Sequence, residues 1–232
     1  MDNKLIVVIG SYGSGKSEYS INLAKEFSDQ GNSVTLVDLD VVNPYFRSRD
    51  VREQFRQEGI TVIAPEGEFQ HADLPMLSPR IMGAVQNKKS NIILDVGGDP
   101  AGCRTLARYV ENIKKRGYEM HFVINTKRPF TSDLNGILEM LQMLRSASKL
   151  EVTELICNTN LMEFTTMDIL KMGIELIDLV AEHEKIKFDT FTVLESNLTK
   201  IPEHIMGKTR KKLKYFLSKP WEMQNKVHHP GI

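Results

Sequence analysis

The stretch that decides the fold is Gly10-Ser11-Tyr12-Gly13-Ser14-Gly15-Lys16-Ser17, which has the pattern G-x-x-x-x-G-K-[ST]. It follows the apolar run Leu5-Ile6-Val7-Val8-Ile9, which is typical of a buried strand, and it opens an amphipathic segment that is typical of a helix. Glycines let the backbone curl so that several N–H groups converge on phosphate oxygens, and a helix N-terminus favours negative charge. The sequence therefore predicts a phosphate-binding loop between the first strand and the first helix.

The residue types in this loop predict individual roles. Lys16 is expected to reach the β and γ phosphates of a nucleotide and to be catalytic, and the Ser17 hydroxyl is expected to ligate Mg²⁺. The other predicted nucleotide contacts of this stretch are Gly10, Ser11, Tyr12, Gly13, Ser14, Gly15 and Glu18.

Length and composition limit the other functions of the chain. The 232 residues suffice for one α/β domain, which we place at 1–219, with 220–232 as a tail. The formal net charge of 0 provides no overall field for nucleic acid or an anionic membrane. Cys103 and Cys157 form no C-x-x-C pair, which disfavours a disulfide framework or a metal site. The first apolar run is too short for a signal sequence or a membrane span, so we expect a cytoplasmic location.

Short apolar runs alternate with longer helical patterns along the chain. This alternation predicts an α/β fold, a three-layer sandwich with a mainly parallel sheet flanked by helices, as in P-loop NTPases. The predicted strands are 4–9, 33–38, 60–64, 91–95, 119–124, 152–157 and 187–193. The predicted helices are near 16–29, 46–57, 79–88, 103–116, 131–147, 166–184 and 202–217. The segment 65–78 has no clear period and is interpreted either as a loop over the site or as a surface connection.

Acidic residues follow two of the predicted strands, where ligands of open parallel sheets bind. Val37-Asp38-Leu39-Asp40 ends the second strand, and strand alternation would point Asp38 and Asp40 into the site with Leu39 facing away. The fourth strand ends at Asp95, the expected partner of Mg²⁺, and Gly98 could present its N–H to the γ-phosphate. The predicted metal-binding residues are therefore Ser17, Asp38 and Asp95.

Together these motifs resemble the MinD/ParA/CobQ-type P-loop ATPases of the SIMIBI class. The resemblance in strand and helix order extends over about residues 1–218. It implies that Asp40 is catalytic and positions the hydrolytic water, that Asp38 lies near Mg²⁺, and that Asp95 is the Walker B acid.

The resemblance also implies nucleotide-sensing loops at 38–50 and 95–104. A second copy of the chain or another protein could bind through these loops. Many family members carry a second lysine after the first glycine of the loop, and this chain has Ser11 there, which puts sandwich-dimer activation in doubt. Three arginines in or beside these loops could supply a positive charge instead: Arg47, Arg49 and Arg104.

Two sequences indicate the base. Guanine-specific relatives use [NT]-K-x-D, whereas this chain has Thr126-Lys127-Arg128-Pro129 and so lacks the aspartate. Asn158 resembles the residue that pairs with the adenine edge in this family, and an amide can both accept from and donate to adenine. ATP is therefore favoured over GTP. Further possible contacts are Ser196 and Asn197.

The sequence predicts a Mg²⁺-dependent ATP-binding protein, a slow ATPase that acts as a nucleotide-controlled conformational switch. One alternative is a small-molecule kinase or ATP-dependent synthetase, and another is a non-catalytic adaptor whose partner binds 43–50 and 65–78. The basic stretch 208–219 is interpreted as a helix that docks on the sheet, with membrane or nucleic-acid binding as the weaker reading. No strong nucleic-acid or membrane signal is present.

Overall fold

The structure is a computed structural model that describes residues 3–40, 52–64 and 79–216. Within these ranges nine strands form one sheet in the order β3-β2-β4-β1-β5-β6-β7-β9-β8. The strands are β1 (Leu5–Ile9), β2 (Val34–Leu39), β3 (Thr61–Ile63), β4 (Asn91–Val96), β5 (Glu119–Ile124), β6 (Glu154–Cys157), β7 (Lys187–Leu194), β8 (His204–Ile205) and β9 (Lys208–Leu213). The helices are α1 (Lys16–Asp29), α2 (Arg52–Gln57), α3 (Pro79–Gln86), α4 (Pro100–Arg104), α5 (Val110–Arg116), α6 (Leu134–Ser148) and α7 (Met167–Glu184).

Neighbouring strands are parallel throughout the described sheet, apart from the antiparallel pair of β8 and β9. Side chains of β1 alternate between two buried clusters. Leu5, Val7 and Ile9 pack with residues of α3, α5, α6 and α7, whereas Ile6 and Val8 pack with residues of α1 and α2. Helices therefore cover both faces of a sheet whose central strands are buried, which confirms the predicted three-layer α/β fold.

All seven predicted strands are present with small differences in their ends. The predicted helix over 103–116 is divided: α4 begins three residues earlier at Pro100, and a 3₁₀ turn over Thr105–Arg108 separates it from α5. The Asp99 carboxylate accepts a hydrogen bond from Gly102 N at 2.5 Å and so caps α4. Residues 46–51, the segment 65–78 and the tail 220–232 lie outside the described residues.

The predicted helix over 202–217 is wrong, because the chain forms β8 and β9 there. Two of the basic side chains that suggested a solvated helix face form ion pairs within the protein. Lys208 Nζ lies 2.7 Å from Asp178 Oδ1, and Lys211 Nζ lies 2.5 Å from Glu26 Oε2. The backbone of β9 pairs with β7 from Thr209 to Leu213. This tertiary pairing overrides the local helical spacing.

In the part of the chain that the structure describes, no helix is both long enough and apolar enough to cross a membrane.

Candidate functional site at the phosphate-binding loop

The loop between β1 and α1 has the backbone shape that its glycines predict. Gly13 and Gly15 have φ values of 73° and 86°, in the left-handed region where a side chain would be strained. A Cβ at Gly10 would lie 2.4 Å from Ser14 Oγ and 2.5 Å from Val123 O. The loop is therefore tightly curled, and its backbone donors lie at the N-terminus of α1, where an anion is favoured.

The side chain of Lys16 forms a buried ion pair. Its Nζ lies 3.1 Å from Asp40 Oδ2, and both side chains are almost completely buried. Asp40 N donates to Asp38 Oδ1 at 3.0 Å, while Leu39 packs in the cluster on the opposite face of the sheet. Strand alternation thus brings both carboxylates to the face that carries α1, beside the loop.

Asp95 lies directly opposite Asp38 in the parallel pairing of β2 and β4. Its Oδ1 accepts from Ser20 Oγ at 3.3 Å, and its buried Oδ2 has no hydrogen-bond partner among the described residues. Burial raises the pKa of the Asp95 carboxyl to about 6, although the positive charge of Lys16 and the Ser17 hydroxyl oppose this shift. A positive charge at this oxygen would compensate the cost of burying the carboxylate.

The three predicted metal-binding residues are brought together. Ser17 lies in the first turn of α1 beside Asp95, and Asp95 lies opposite Asp38 in the pairing of β4 with β2. Among the described residues, no group of three His, Cys, Asp or Glu side chains could by itself hold a metal ion. This donor set fits Mg²⁺, which is usually bound through one or two carboxylates with phosphate and water completing its shell.

The Gly97-Gly98 turn after β4 touches the phosphate-binding loop. A Cβ at Gly98 would lie 3.0 Å from Tyr12 N and 3.2 Å from Lys16 Nζ. Gly97 packs against the backbone of Gly102 in α4, where a Cβ would lie 2.8 Å away from the Gly102 Cα. The Gly97-Gly98 part of the segment 95–104 therefore lies beside the phosphate-binding loop, and a partner contact through this segment stays a prediction. Arg104 is exposed at the end of α4, and two other candidate arginines, Arg47 and Arg49, lie outside the described residues.

The amide of Asn158 holds the phosphate-binding loop. Its Nδ2 donates to Ser14 O at 2.6 Å, and its Oδ1 accepts from Thr192 Oγ1 at 2.5 Å. A Cβ at Gly15 would lie 2.2 Å from Nδ2, so the amide sits flat against the loop. The nitrogen and the oxygen of the Asn158 side chain thus each have a partner within the protein. The predicted contact of Asn158 with adenine stays a prediction.

Sequence reasoning missed Arg128 as part of this site. Its Nε donates to Gly13 O at 3.0 Å, so the exposed guanidinium lies against the loop. The two residues are 115 positions apart in the sequence, and no local pattern connects them.

Fold and site together define a nucleotide-binding protein of the P-loop class, with the loop, an acid after β2 and an acid at the end of β4 in one place. A family model described as the CobQ/CobB/MinD/ParA nucleotide binding domain matches residues 5–188. The chain belongs to this family. No match was found among curated proteins.

Solved structures with the same fold include the cell division protein FtsY from Thermotoga maritima, at 23% identity and a TM-score of 0.54, covering 82% of this chain and 62% of that one. The signal recognition particle receptor FtsY from Elizabethkingia anophelis in complex with GDP has 17% identity, a TM-score of 0.56 and coverages of 83% and 58%. A nucleotide-binding protein in complex with ADP from Archaeoglobus fulgidus has 16% identity, a TM-score of 0.50 and coverages of 82% and 81%. The chain thus spans about three fifths of the FtsY structures.

Proposed function

We propose that this protein binds Mg-ATP in the cytoplasm, hydrolyses it slowly, and uses the cycle as a conformational switch. The observation that carries the proposal is the buried ion pair of Lys16 and Asp40, 3.1 Å apart, inside a phosphate-binding loop. A phosphate that reaches Lys16 competes with Asp40 for the same ammonium group. Nucleotide binding therefore changes the environment of Asp40, and with it the start of the segment 38–50.

The residues divide the catalytic work between them. Lys16 and the loop N–H groups stabilise the negative charge on the β and γ phosphates, and Gly98 offers its N–H to the γ-phosphate. Ser17, Asp38 and Asp95 would hold Mg²⁺, which neutralises phosphate charge when it is bound. Asp40, once released from Lys16, orients the attacking water. The remaining loop residues and Glu18 line the path of the phosphates.

The choice of ATP rests on residues 126–129. Pro129 stands where guanine-specific relatives have the aspartate that takes two hydrogens from guanine. The solved structures do not decide the base, since one is a complex with GDP and another a complex with ADP, and both are below 25% identity.

The segments 38–50 and 95–104 are the proposed surface for a second copy or a protein partner. Both begin at the site, at Asp38 and Asp95, which is where a change in phosphate occupancy is felt first. Ser11, in the position of the family's second lysine, is buried and cannot reach out to another subunit.

The test is phosphate release with Mg-ATP and with Mg-GTP by the wild type, Asp40→Asn and Asp189→Asn. Asp189 is an exposed acid on β7 and serves as the matched control. We expect ATP-selective turnover that Asp40→Asn lowers at least tenfold and Asp189→Asn leaves unchanged. Full turnover in Asp40→Asn would move the catalytic role elsewhere. Tight Mg-ATP binding without any turnover would favour the kinase, synthetase or adaptor alternatives.

A further inference from the structure

The charged groups of the site lie on one side of the phosphate-binding loop. Lys16, Asp40 and Asp95 belong to α1, β2 and β4, so the γ-phosphate is expected between these elements. The nucleoside must then leave the loop on the other side, toward the ends of β5, β6 and β7. We call the latter the nucleoside side, defined by Glu18, Arg128 and the 3₁₀ turns Met162–Phe164 and Glu195–Asn197.

The segment that follows β9 lies along this side of the loop. Residues 214–216, which we call the strap, leave β9 and cross the first turns of α1. Asn22 fixes the strap with two hydrogen bonds to the backbone of Lys214, each 2.8 Å long. The Glu18 carboxylate accepts from Phe216 N at 3.2 and 3.1 Å, and the Phe216 ring packs on Phe55 with 5.6 Å between centroids. The strap is therefore held at both ends.

Between these anchors the side chain of Tyr215 reaches the loop after β6. Its hydroxyl donates to Met162 Sδ at 2.5 Å, and its ring is half-buried. Burial raises the pKa of Tyr215 to about 12, and the charges of Glu163 and Glu18 add to the increase while Arg128 opposes it. The contact with Met162 and the hydrogen bonds of the next residue to Glu18 place Tyr215 between the N-terminal turn of α1 and the loop after β6.

We propose that Tyr215 packs against the nucleoside of the bound nucleotide and supplies the part of the affinity that depends on the presence of a base. The inference rests on the proposed function and adds a residue far outside the phosphate-binding motifs. Glu18, which anchors the strap, directly follows Ser17, so the strap lies against the first turn of α1, next to the residue that is expected to bind Mg²⁺. An aromatic face binds any base by stacking, and the amide of Asn158 already has two partners in the protein.

The experiment separates base from phosphate binding. Calorimetry compares Mg-ATP with Mg-tripolyphosphate, which has the three linked phosphates of the nucleotide and no nucleoside. The variants are Tyr215→Ala, Tyr215→Leu and Tyr215→Phe, with Tyr118→Ala as the matched control. Tyr118 is a half-exposed tyrosine whose hydroxyl accepts from Glu151 N, and it precedes β5, at the end of the parallel strands that is remote from the phosphate-binding loop.

We expect Tyr215→Ala to weaken Mg-ATP binding about tenfold and to leave Mg-tripolyphosphate binding within about twofold. Tyr215→Leu, which keeps apolar packing against Met162, should resemble Tyr215→Ala, and Tyr215→Phe should resemble the wild type. Asn22→Ala, which unties the strap, should also weaken Mg-ATP selectively.

Two results would overturn the proposal: unchanged Mg-ATP affinity in both Tyr215→Ala and Tyr215→Leu, or an equal loss for Mg-ATP and Mg-tripolyphosphate, which would make the strap a support for α1 only. A wild-type protein that binds neither ligand would overturn the proposed function itself, and the role of Tyr215 with it.

Discussion

The two sides of the phosphate-binding loop are built from different chemistry. Toward β2 and β4 lie buried charges, Lys16, Asp40 and Asp95. Toward β6 and β7 lies a buried neutral network, in which the amide of Asn158 joins Ser14 to Thr192. A buried charge that loses its partner costs several kcal/mol, whereas a neutral hydrogen bond contributes about 0.5–1.5 kcal/mol. The charged side is therefore sensitive to what binds there, and the neutral side holds the loop in one shape.

The largest effect is expected from Lys16→Ala. It removes the cation that phosphate needs, and it leaves Asp40 buried without its charge partner, so the free energy of unfolding should fall by about 3–5 kcal/mol. Nucleotide affinity should fall at least about 100-fold. Urea unfolding and calorimetry measure the two effects.

The double variant Lys16→Ala/Asp40→Ala sharpens this test. It should regain much of the stability and none of the nucleotide affinity, because Asp40 is no longer left as a buried carboxylate without its ion-pair partner. Lys25→Ala, which removes partly exposed ion pairs with Asp29 and Glu58, is the control and should change stability by less than about 1 kcal/mol. Equal stability losses in Lys16→Ala and Lys25→Ala would show that the buried ion pair of the site contributes no more to stability than a partly exposed one.

Asp95→Asn is expected to act in opposite directions on stability and binding. The Asp95 carboxyl binds its proton more tightly in the folded chain, where its pKa is about 6, than in the unfolded chain, where its pKa has the ordinary value of 3.8. Stability should therefore fall as the pH rises from about 4 to about 6, and Asp95→Asn should remove that part of the fall. At pH 7 the variant should be about 2–3 kcal/mol more stable without nucleotide.

Mg²⁺-dependent nucleotide affinity should decrease in the same Asp95→Asn variant. Unfolding curves from pH 4 to pH 8, together with calorimetry at varied Mg²⁺, measure both. If Asp95→Asn left the pH dependence of the free energy of unfolding unchanged, the burial of this carboxylate would not be what lowers stability at neutral pH.

Asn158→Ala tests the neutral side. Removal of the amide takes the donor from Ser14 O and leaves Thr192 Oγ1 only its longer contact with Cys157 O, which should cost about 1–3 kcal/mol. Because the loop itself loosens, Mg-ATP and Mg-tripolyphosphate affinities should fall together, in contrast to the selective loss expected at Tyr215. A loss confined to Mg-ATP would instead support the predicted contact of Asn158 with adenine.

The smallest effect is expected from Arg128→Ala. The guanidinium is exposed and makes one hydrogen bond to the loop, at Gly13 O, so stability should change by less than about 1 kcal/mol. Nucleotide affinity should fall only a few-fold. A loss as large as that of Lys16→Ala would place Arg128 in the phosphate site.

Much of this arrangement could be predicted because its signals are local. Apolar runs such as Leu5–Ile9 mark buried strands, and the spacing within 10–17 specifies the loop geometry. The two-residue repeat of a strand end placed Asp38 and Asp40 on one face. Each of these inferences needs only neighbouring residues.

The missed features depend on distant parts of the chain. Leu213 and Phe216 have a helical spacing, yet pairing of β9 with β7 places Leu213 in the cluster that packs on α1. Arg128 and Tyr215 join the site through partners more than fifty residues away. Such contacts carry no periodic signal, so only the folded sheet reveals them.

The anchoring of the strap also bears on how the protein is made. Asn22 and Glu18 bind backbone groups 192 and 198 residues further along the chain. During synthesis, the helix that carries the phosphate-binding residues therefore emerges from the ribosome long before the strand and strap that cover it. Until then the apolar surface of α1 that packs on Leu213 lacks this cover, and the proposed contact of Tyr215 with a nucleoside cannot form.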